Sequence, residues 1–140
     1  MALYSPRASG LGNSAAYQVA GKPYVTGSTV EANPGVTGGQ VKIEFPTVTK
    51  SITIAVTGSA SLKIHFDSVL TSDEVTNNVH YLPIFPTTTT ANHLITLGGK
   101  CKEIYISGTG AGQSGFVLYA ELTGIPASEM YELTGSGINS

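Results

Sequence analysis

Hydrophobic and polar residues alternate with a period of two in three segments of the central chain. Apolar side chains occupy every second position in the segments 40–45, 51–56 and 61–67, which read QVKIEF, SITIAV and SLKIHFD. Side chains on a β-strand point to opposite faces in turn, so each segment is expected to bury one face and to expose the other. No window shows sustained apolar spacing of three and four residues, which an amphipathic helix requires.

Four further segments are predicted strands, and Gly-, Asn- and Ser-containing turns separate them. They span residues 79–84, 93–97, 101–107 and 115–123, and Pro83 marks a strand end or an edge strand. Seven or eight short strands at this spacing are typical of an antiparallel sandwich or barrel. We therefore predict an all-β protein, an antiparallel β-sandwich that is Ig-like or jelly-roll-like.

The two ends of the chain differ from this central part. Residues 1–38 contain three prolines and many Gly and Ser residues, and we predict that they form an extended N-terminal arm, with disorder as the alternative. Residues 39–124 are predicted to form the sandwich domain. Residues 125–140 are predicted to form a C-terminal tail with one apolar group at Ile125, Met130, Tyr131 and Leu133.

Composition narrows the classes of partner. Charged residues make up 11% of the 140 residues, against about a quarter in average proteins, and the net charge is -2. The seven Lys and Arg residues are scattered, so we expect no nucleic-acid binding. No apolar run is long enough for a membrane helix, and the N-terminus has no apolar signal-like segment, so we expect neither membrane insertion nor secretion by a signal peptide. The single Cys101 is expected to be a buried small apolar residue.

The stretch SGTGAGQSG at 107–115 matches the spacing G-x-G-x-x-G of dinucleotide-binding loops. Such a loop works because its third glycine opens a helix whose N-terminal amides bind pyrophosphate. Here Gly115 is followed by FVLYAEL, which is typical of a strand, so the motif fails its structural context. We predict a flexible hairpin loop and no cofactor.

Other residues with catalytic or metal-binding chemistry are too dispersed to indicate a site. His65, His80 and His93 fit no compact metal motif and are expected to be surface histidines, with His65 on a polar strand face. The carboxylates Glu44, Glu103 and Glu121 lie on separate predicted strands and are expected to be solvated or edge charges. We therefore expect no metal, no catalytic residues and no enzymatic activity, and we regard a small hydrolase as poorly supported.

Several segments resemble one family of proteins. They are the N-terminal MALYSPRASGLGNSAAYQVAGKPYVTGS, then KSITI, LKIHFDS, HYL and KCKEIYIS, and the C-terminal YAELTGI and MYELTGSG. Together they resemble small structural virion proteins of tailed bacteriophages, especially those that infect marine cyanobacteria. The resemblance runs from Met1 to Gly137. It implies a virion component, and small β proteins of this kind often decorate or cement capsids.

This resemblance implies the partners and the location of the protein. We expect it on the capsid surface of a virion assembled in the host cytoplasm, bound to the major capsid protein and to copies of itself as a homo-oligomer, with a trimer compatible but not indicated. We expect Tyr4, Leu11, Tyr17 and Tyr24 to anchor the arm on a partner, because buried aromatic anchors dominate such contacts. The alternative is that these tyrosines cover the chain's own core.

A second functional hypothesis remains open. The Thr- and Asn-rich loops at 68–78 and 86–93 also suit a tail- or fibre-associated structural module that binds host glycans.

Overall fold

The computed structural model describes residues 22–33, 38–69, 80–85, 93–109 and 112–138, and in these ranges the chain forms eight β-strands and one short 3₁₀-helix. The strands are β1 Lys22–Val30, β2 Gln40–Glu44, β3 Thr47–Val56, β4 Leu62–His65, β5 Leu82–Ile84, β6 His93–Leu97, β7 Glu103–Gly108 and β8 Ser114–Pro126. The 3₁₀-helix is Ala127–Glu129. No helix in these ranges is long and apolar enough to cross a membrane.

The strands form two four-stranded antiparallel sheets that pack together as a β-sandwich. Sheet A has the order β1-β8-β3-β6, and sheet B has the order β2-β7-β4-β5. The pairs β1 with β8, β2 with β7, β3 with β6 and β4 with β5 are nested within one another. The chain thus resembles one long hairpin that is folded over into two sheets, which is the arrangement of a jelly roll. Of the two predicted types of sandwich, the strand order excludes the Ig-like one, whose sheets place the first and second strands side by side.

The core lies between the inner faces of the two sheets, and the predicted alternation accounts for it. Ile52, Ile54 and Val56 of β3 are buried while Ser51, Thr53 and Ala55 are half-buried on the other side. Other strands supply further buried core residues: Val30, Ile43, Leu62, Ile64, Ile84, Ile104, Ile106, Phe116, Leu118, Ala120 and Leu122. At about 1.5–3 kcal/mol for each large side chain, this burial is the main stabilising contribution.

A smaller apolar cluster holds the C-terminal segment on the sandwich. Ile125 and Met130 are buried against Val48, with Leu133 packed beside them. Lys102 Nζ donates to the Met130 carbonyl oxygen at 3.3 Å. Three of the four residues in the predicted apolar group of the tail therefore contact the β body, whereas Tyr131 is 69% exposed.

Residues 22–30, which lie inside the predicted arm, are an integral strand of sheet A. β1 pairs with β8 at every position from Lys22 to Val30. The ring of Tyr24 packs edge-on against Phe45, with the centroids 5.5 Å apart. β1 therefore belongs to the sandwich, and the arm prediction for residues 1–21 lies outside the described residues.

The glycine-rich stretch joins β7 to β8 and therefore crosses from sheet B to sheet A. The predicted strand after Gly115 is confirmed, because β8 begins at Ser114. The predicted hairpin is wrong, since β7 and β8 lie in different sheets and do not pair with each other.

Candidate interaction surface

The outer face of sheet A is nearly free of charge. Strand register places its outward side chains in rows that run across all four strands. One row, the Tyr119 row, contains Val25, Tyr119, Thr53 and Thr96. The next, the Val117 row, contains Gly27, Val117, Ala55 and Leu94. Flanking these rows are Pro23, Glu121 and Ser51 at one end and Thr29 and Gly115 at the other. We call this surface the A face.

Large apolar side chains on the A face are exposed to solvent. Val25 is 66% exposed, Leu94 64%, Val117 44% and Tyr119 40%. Glu121 is the charged member of the set, and it accepts a hydrogen bond from Ser51 Oγ at 3.1 Å. Thr53 and Thr96 are hydrogen-bonded to each other at 3.1 Å. The face therefore offers apolar area in which four polar side chains are already hydrogen-bonded in pairs, which lowers the cost of covering it.

The outer face of sheet B carries charges instead. Lys42 Nζ lies 3.0 Å from Glu44 Oε1 and 3.0 Å from Glu103 Oε2. The prediction of solvated or edge charges is confirmed for Glu44, which is 71% exposed on the edge strand β2, and is wrong for Glu103, which is 19% exposed on the inner strand β7. The register places Glu44 directly opposite Glu103, and Lys42 contacts both. The hydrogen bond to Glu103 makes the largest contribution to raising the pKa of Lys42, and the hydrogen bond to Glu44 makes the second largest.

A cleft of about 410 Å³ lies between this charged group and the C-terminal segment. Lys102 forms its far side and contacts Glu132, with 2.6 Å between Nζ and Oε1. The hydrogen bond from Lys102 lowers the pKa of Glu132. Two lysines and three glutamates line the cleft, so the ion pairs leave a net charge of about -1 there.

His65 is fully buried under the outer side of sheet B. The histidine prediction placed this residue at the surface, and this is wrong. The ring is stacked on Tyr105, its Nε2 lies 2.9 Å from Ser107 Oγ, and its Nδ1 lies 2.6 Å from the Asp67 carbonyl oxygen. Residues 66–69, which follow β4, cover the ring, and Gln40 holds this segment through Ser68 and the Val69 amide. Burial lowers the pKa of His65 and thus favours the neutral ring.

Ser107 and His65 form a hydrogen-bonded pair of the kind that nucleophilic catalysis uses. Both side chains are closed off from solvent, with 1% and 0% exposure respectively. A substrate has no access to the Ser107 hydroxyl, so this pair acts as a structural hydrogen bond between β7 and β4.

An apolar cleft of about 400 Å³ opens at the edge of the sandwich where β5 lies beside β6. Its lining residues are Ile64, Phe66, His80, Tyr81, Leu82, Leu97 and Gly137. The ammonium group of Lys63 sits 4.4 Å from the centre of the Tyr81 ring. Pro83 keeps β5 from pairing further, so the predicted edge position of this proline is confirmed.

Metal-ligand chemistry is dispersed in the part of the chain that the structure describes. No three His, Cys, Asp or Glu side chains converge there. Cys101 is buried and free, as predicted, and burial raises the pKa of its thiol. Its amide donates to Thr49 Oγ1 at 3.2 Å, which ties the β6–β7 connection to β3.

The predicted anchor residues and the exposed apolar residues are different sets. Tyr24 is half-buried and packs on the core, which agrees with the alternative that we left open for the tyrosines, and Tyr4, Leu11 and Tyr17 lie outside the described residues. The sequence analysis missed the A face. A signal for it existed in β8, where Val117 and Tyr119 place apolar side chains on the face opposite to the core-facing Phe116 and Leu118.

Searches against protein families, curated proteins and solved structures found no match to this chain. The case for a function therefore rests on the residues and the surfaces described above.

Proposed function

We propose that the protein is a structural virion component that decorates or cements a phage capsid by binding the major capsid protein and neighbouring copies of itself. In this proposal the protein is not an enzyme and binds no cofactor. The resemblance of its segments to small virion proteins of tailed phages supplies the biological setting.

The A face is the observation that carries the proposal. A sheet face that exposes Val25, Leu94 and Val117 is suited to contact with another protein, because covering such side chains releases ordered water. Interface centres are depleted in charge and enriched in aromatic side chains, and Tyr119 lies at the centre of this face.

The jelly-roll arrangement is compatible with the proposal. Jelly rolls occur in viral capsid domains, where the closely packed sheets provide a rigid body, and they also occur in lectins. Because one fold serves many functions, the topology supports the proposal only together with the surface.

Quantitative mass spectrometry of purified virions tests the proposal. A capsid decoration protein should be present in a copy number comparable with that of the major capsid protein, and cryo-electron microscopy should show its density on the outer capsid lattice. A copy number typical of a tail or a vertex, or density confined to the tail or neck, would refute the capsid assignment.

The second candidate is a tail-associated module that binds host glycans. It is favoured by Phe85, which is 59% exposed directly after β5 and precedes the Thr-rich segment 86–93 in the sequence, since sugar rings stack on exposed aromatic side chains. A glycan array distinguishes the two functions. Specific glycan binding that is lost on Phe85→Ala would favour the module, and the absence of any binding would count against it.

A further inference from the structure

We propose that the A face is a self-association surface on which two copies of this chain pack face to face about a two-fold axis parallel to the strands. This inference deepens the proposed function, since it assigns one of the expected self-contacts to named residues. It rests on the composition, the register and the size of the face.

Charge allows a second copy as the occupant. In a two-fold self-contact each face meets a copy of itself, so a face that carries charge of one sign repels its copy. The A face carries Glu121 near one end, where Lys50 precedes Ser51 at the irregularity of β3, and the proposed axis places the Glu121 carboxylate opposite Ser51 of the second copy rather than opposite a second glutamate. On sheet B, by contrast, Lys42, Glu44 and Glu103 would have to be desolvated in such a contact, which is costly.

The register makes the Tyr119 row complementary to itself. A two-fold axis that runs between β8 and β3 exchanges β1 with β6 and β8 with β3. Val25 then faces Thr96 of the second copy, and Tyr119 faces Thr53 of the second copy. Each contact joins a larger side chain to a smaller one, which is how facing sheets interdigitate.

The Val117 row follows the same rule. Val117 faces Ala55 of the second copy, and Leu94 faces Gly27, which has no side chain. The other in-plane axis, perpendicular to the strands, would instead stack Tyr119 on Val117 and leave Thr53 on Ala55. Two large residues would collide while two small ones left a gap, so the parallel axis is preferred.

The size of the face predicts the strength of the contact. Four strands about 4.8 Å apart and six residue steps of about 3.4 Å give a face of roughly 19 by 20 Å. Two faces would bury at least roughly 800 Å² together, which is below the about 1,200 Å² of stable complexes. We therefore expect a weak, concentration-dependent dimer in solution, whose contact gains effective strength when copies are held side by side on a lattice.

Analytical ultracentrifugation of the full chain over a concentration series tests the contact. The wild type should show a reversible monomer–dimer equilibrium. Val117→Lys should weaken dimerisation at least tenfold, because each dimer would bury the new charge twice. Tyr131→Lys is the matched control, since it replaces an exposed apolar side chain outside the A face, and its dimerisation should equal that of the wild type. Thermal unfolding of both variants checks that the fold is kept.

Cysteine cross-linking tests the axis with substitutions that preserve the apolar surface. Val25 and Thr96 lie on opposite edge strands of sheet A, too far apart for a short cross-linker within one chain. The double variant Val25→Cys with Thr96→Cys should therefore form covalent dimers with a short bismaleimide reagent. Each single variant should give none, because the axis keeps equivalent residues apart, and the native Cys101 is buried.

Four outcomes would overturn the inference: a wild type that stays monomeric at millimolar concentration, a trimer, a dimer that persists in Val117→Lys, or single-cysteine variants that cross-link as well as the double one. These outcomes are separate from the fate of the proposed function. A monomeric chain that is abundant on capsids would refute the self-contact alone, whereas a dimer of the predicted geometry that is absent from virions would refute the capsid role alone.

Discussion

Gly108→Ala tests whether the packing between the end of β7 and the β1–β2 connection is as tight as the structure shows. A Cβ at Gly108 would fall within contact distance of the Glu31 carbonyl oxygen and 2.5 Å from the Ala32 carbonyl oxygen. Both obstacles are backbone atoms, so no side chain can rotate away. The Gly108 amide also donates to the Gly39 carbonyl oxygen at 3.0 Å, and the strand cannot shift without straining this bond.

The expected loss of stability follows from these two effects. Overpacking against backbone costs about 1–3 kcal/mol, and weakening one buried hydrogen bond costs about 1 kcal/mol. Gly→Ala also restricts the unfolded chain, which stabilises by about 0.4–1 kcal/mol. We therefore expect Gly108→Ala to lower the free energy of unfolding by about 2–3 kcal/mol.

Gly98→Ala provides the matched control, because a Cβ at Gly98 would have no atom within 4 Å. The unfolded-state effect is the same for both substitutions, so their difference isolates the packing at Gly108. Urea denaturation of the wild type and both variants measures it. If Gly108→Ala and Gly98→Ala differed by less than about 1 kcal/mol, the close approach of the β1–β2 connection to β7 would be refuted.

Three further substitutions test separate features. His65→Gln should remove a pH dependence of stability. Because the pKa of His65 in the folded protein lies below its ordinary value of 6.5, the unfolded state takes up the proton first as the pH is lowered. The free energy of unfolding of the wild type should therefore decrease as the pH drops below about 6.5, by at most about 1.4 kcal/mol per pH unit from this group. Urea denaturation from pH 8 to 5 checks this, and equal slopes for both proteins would contradict it. Thr123→Val should lower the free energy of unfolding by about 1–3 kcal/mol, because the Thr123 hydroxyl donates to the Val48 carbonyl oxygen at 2.7 Å and valine cannot replace this donor. Thermal unfolding measures the loss, and an unchanged Tm would show that this hydrogen bond does not stabilise the fold. Lys42→Met should destabilise by about 1 kcal/mol or less, since its ion pairs are partly exposed, and 1 M salt should shrink the difference; a salt-independent loss would argue against an electrostatic cause.

The central strands were predictable because the alternation of apolar and polar residues in the sequence shows which side chains must be buried. Ile52, Ile54 and Val56 must all point to one side, and a slip by one residue would expose them. The seven predicted segments accordingly overlap β2 to β8, although β3 begins four residues earlier and β8 ends three residues later than predicted. Periodicity reports burial on one face, however, and does not report which strands pair, so the jelly-roll order was beyond it.

β1 escaped prediction because it is an edge strand whose inward side is largely polar. Tyr24, Thr26 and Ser28 point inward, while Val25 and Gly27 point outward. Polar residues of β1 therefore occupy inward positions where a core strand has apolar residues, and Val25 occupies an outward position where a core strand has a polar residue. Pairing with β8 along nine residues, a long-range property, determines its conformation instead.

His65 shows a second limit of pattern reasoning. Its position next to Lys63 in the alternation correctly placed it on the outward side of β4. That side is covered by residues 66–69, which Gln40 holds from a different strand of the sheet, so outward does not mean exposed here. Burial of a polar strand face depends on such tertiary contacts, and the alternation of polar and apolar residues along one strand does not predict them.

The difference between the two outer faces links the fold to the proposed function. The charges of the two sheets are placed differently. Lys42, Glu44 and Glu103 form one group on the outer face of sheet B, whereas Lys22, Lys50 and Glu121 on the strands of sheet A lie outside the Tyr119 and Val117 rows. Charged groups remain hydrated most cheaply at a free surface, whereas apolar groups gain most from being covered. This distribution orients the molecule: the A face is suited to meet another protein surface, and the charged group on β2 and β7 of sheet B is suited to remain in water. A rigid sandwich with one side of each kind can bind a neighbour without exposing further apolar area, which a particle surface requires.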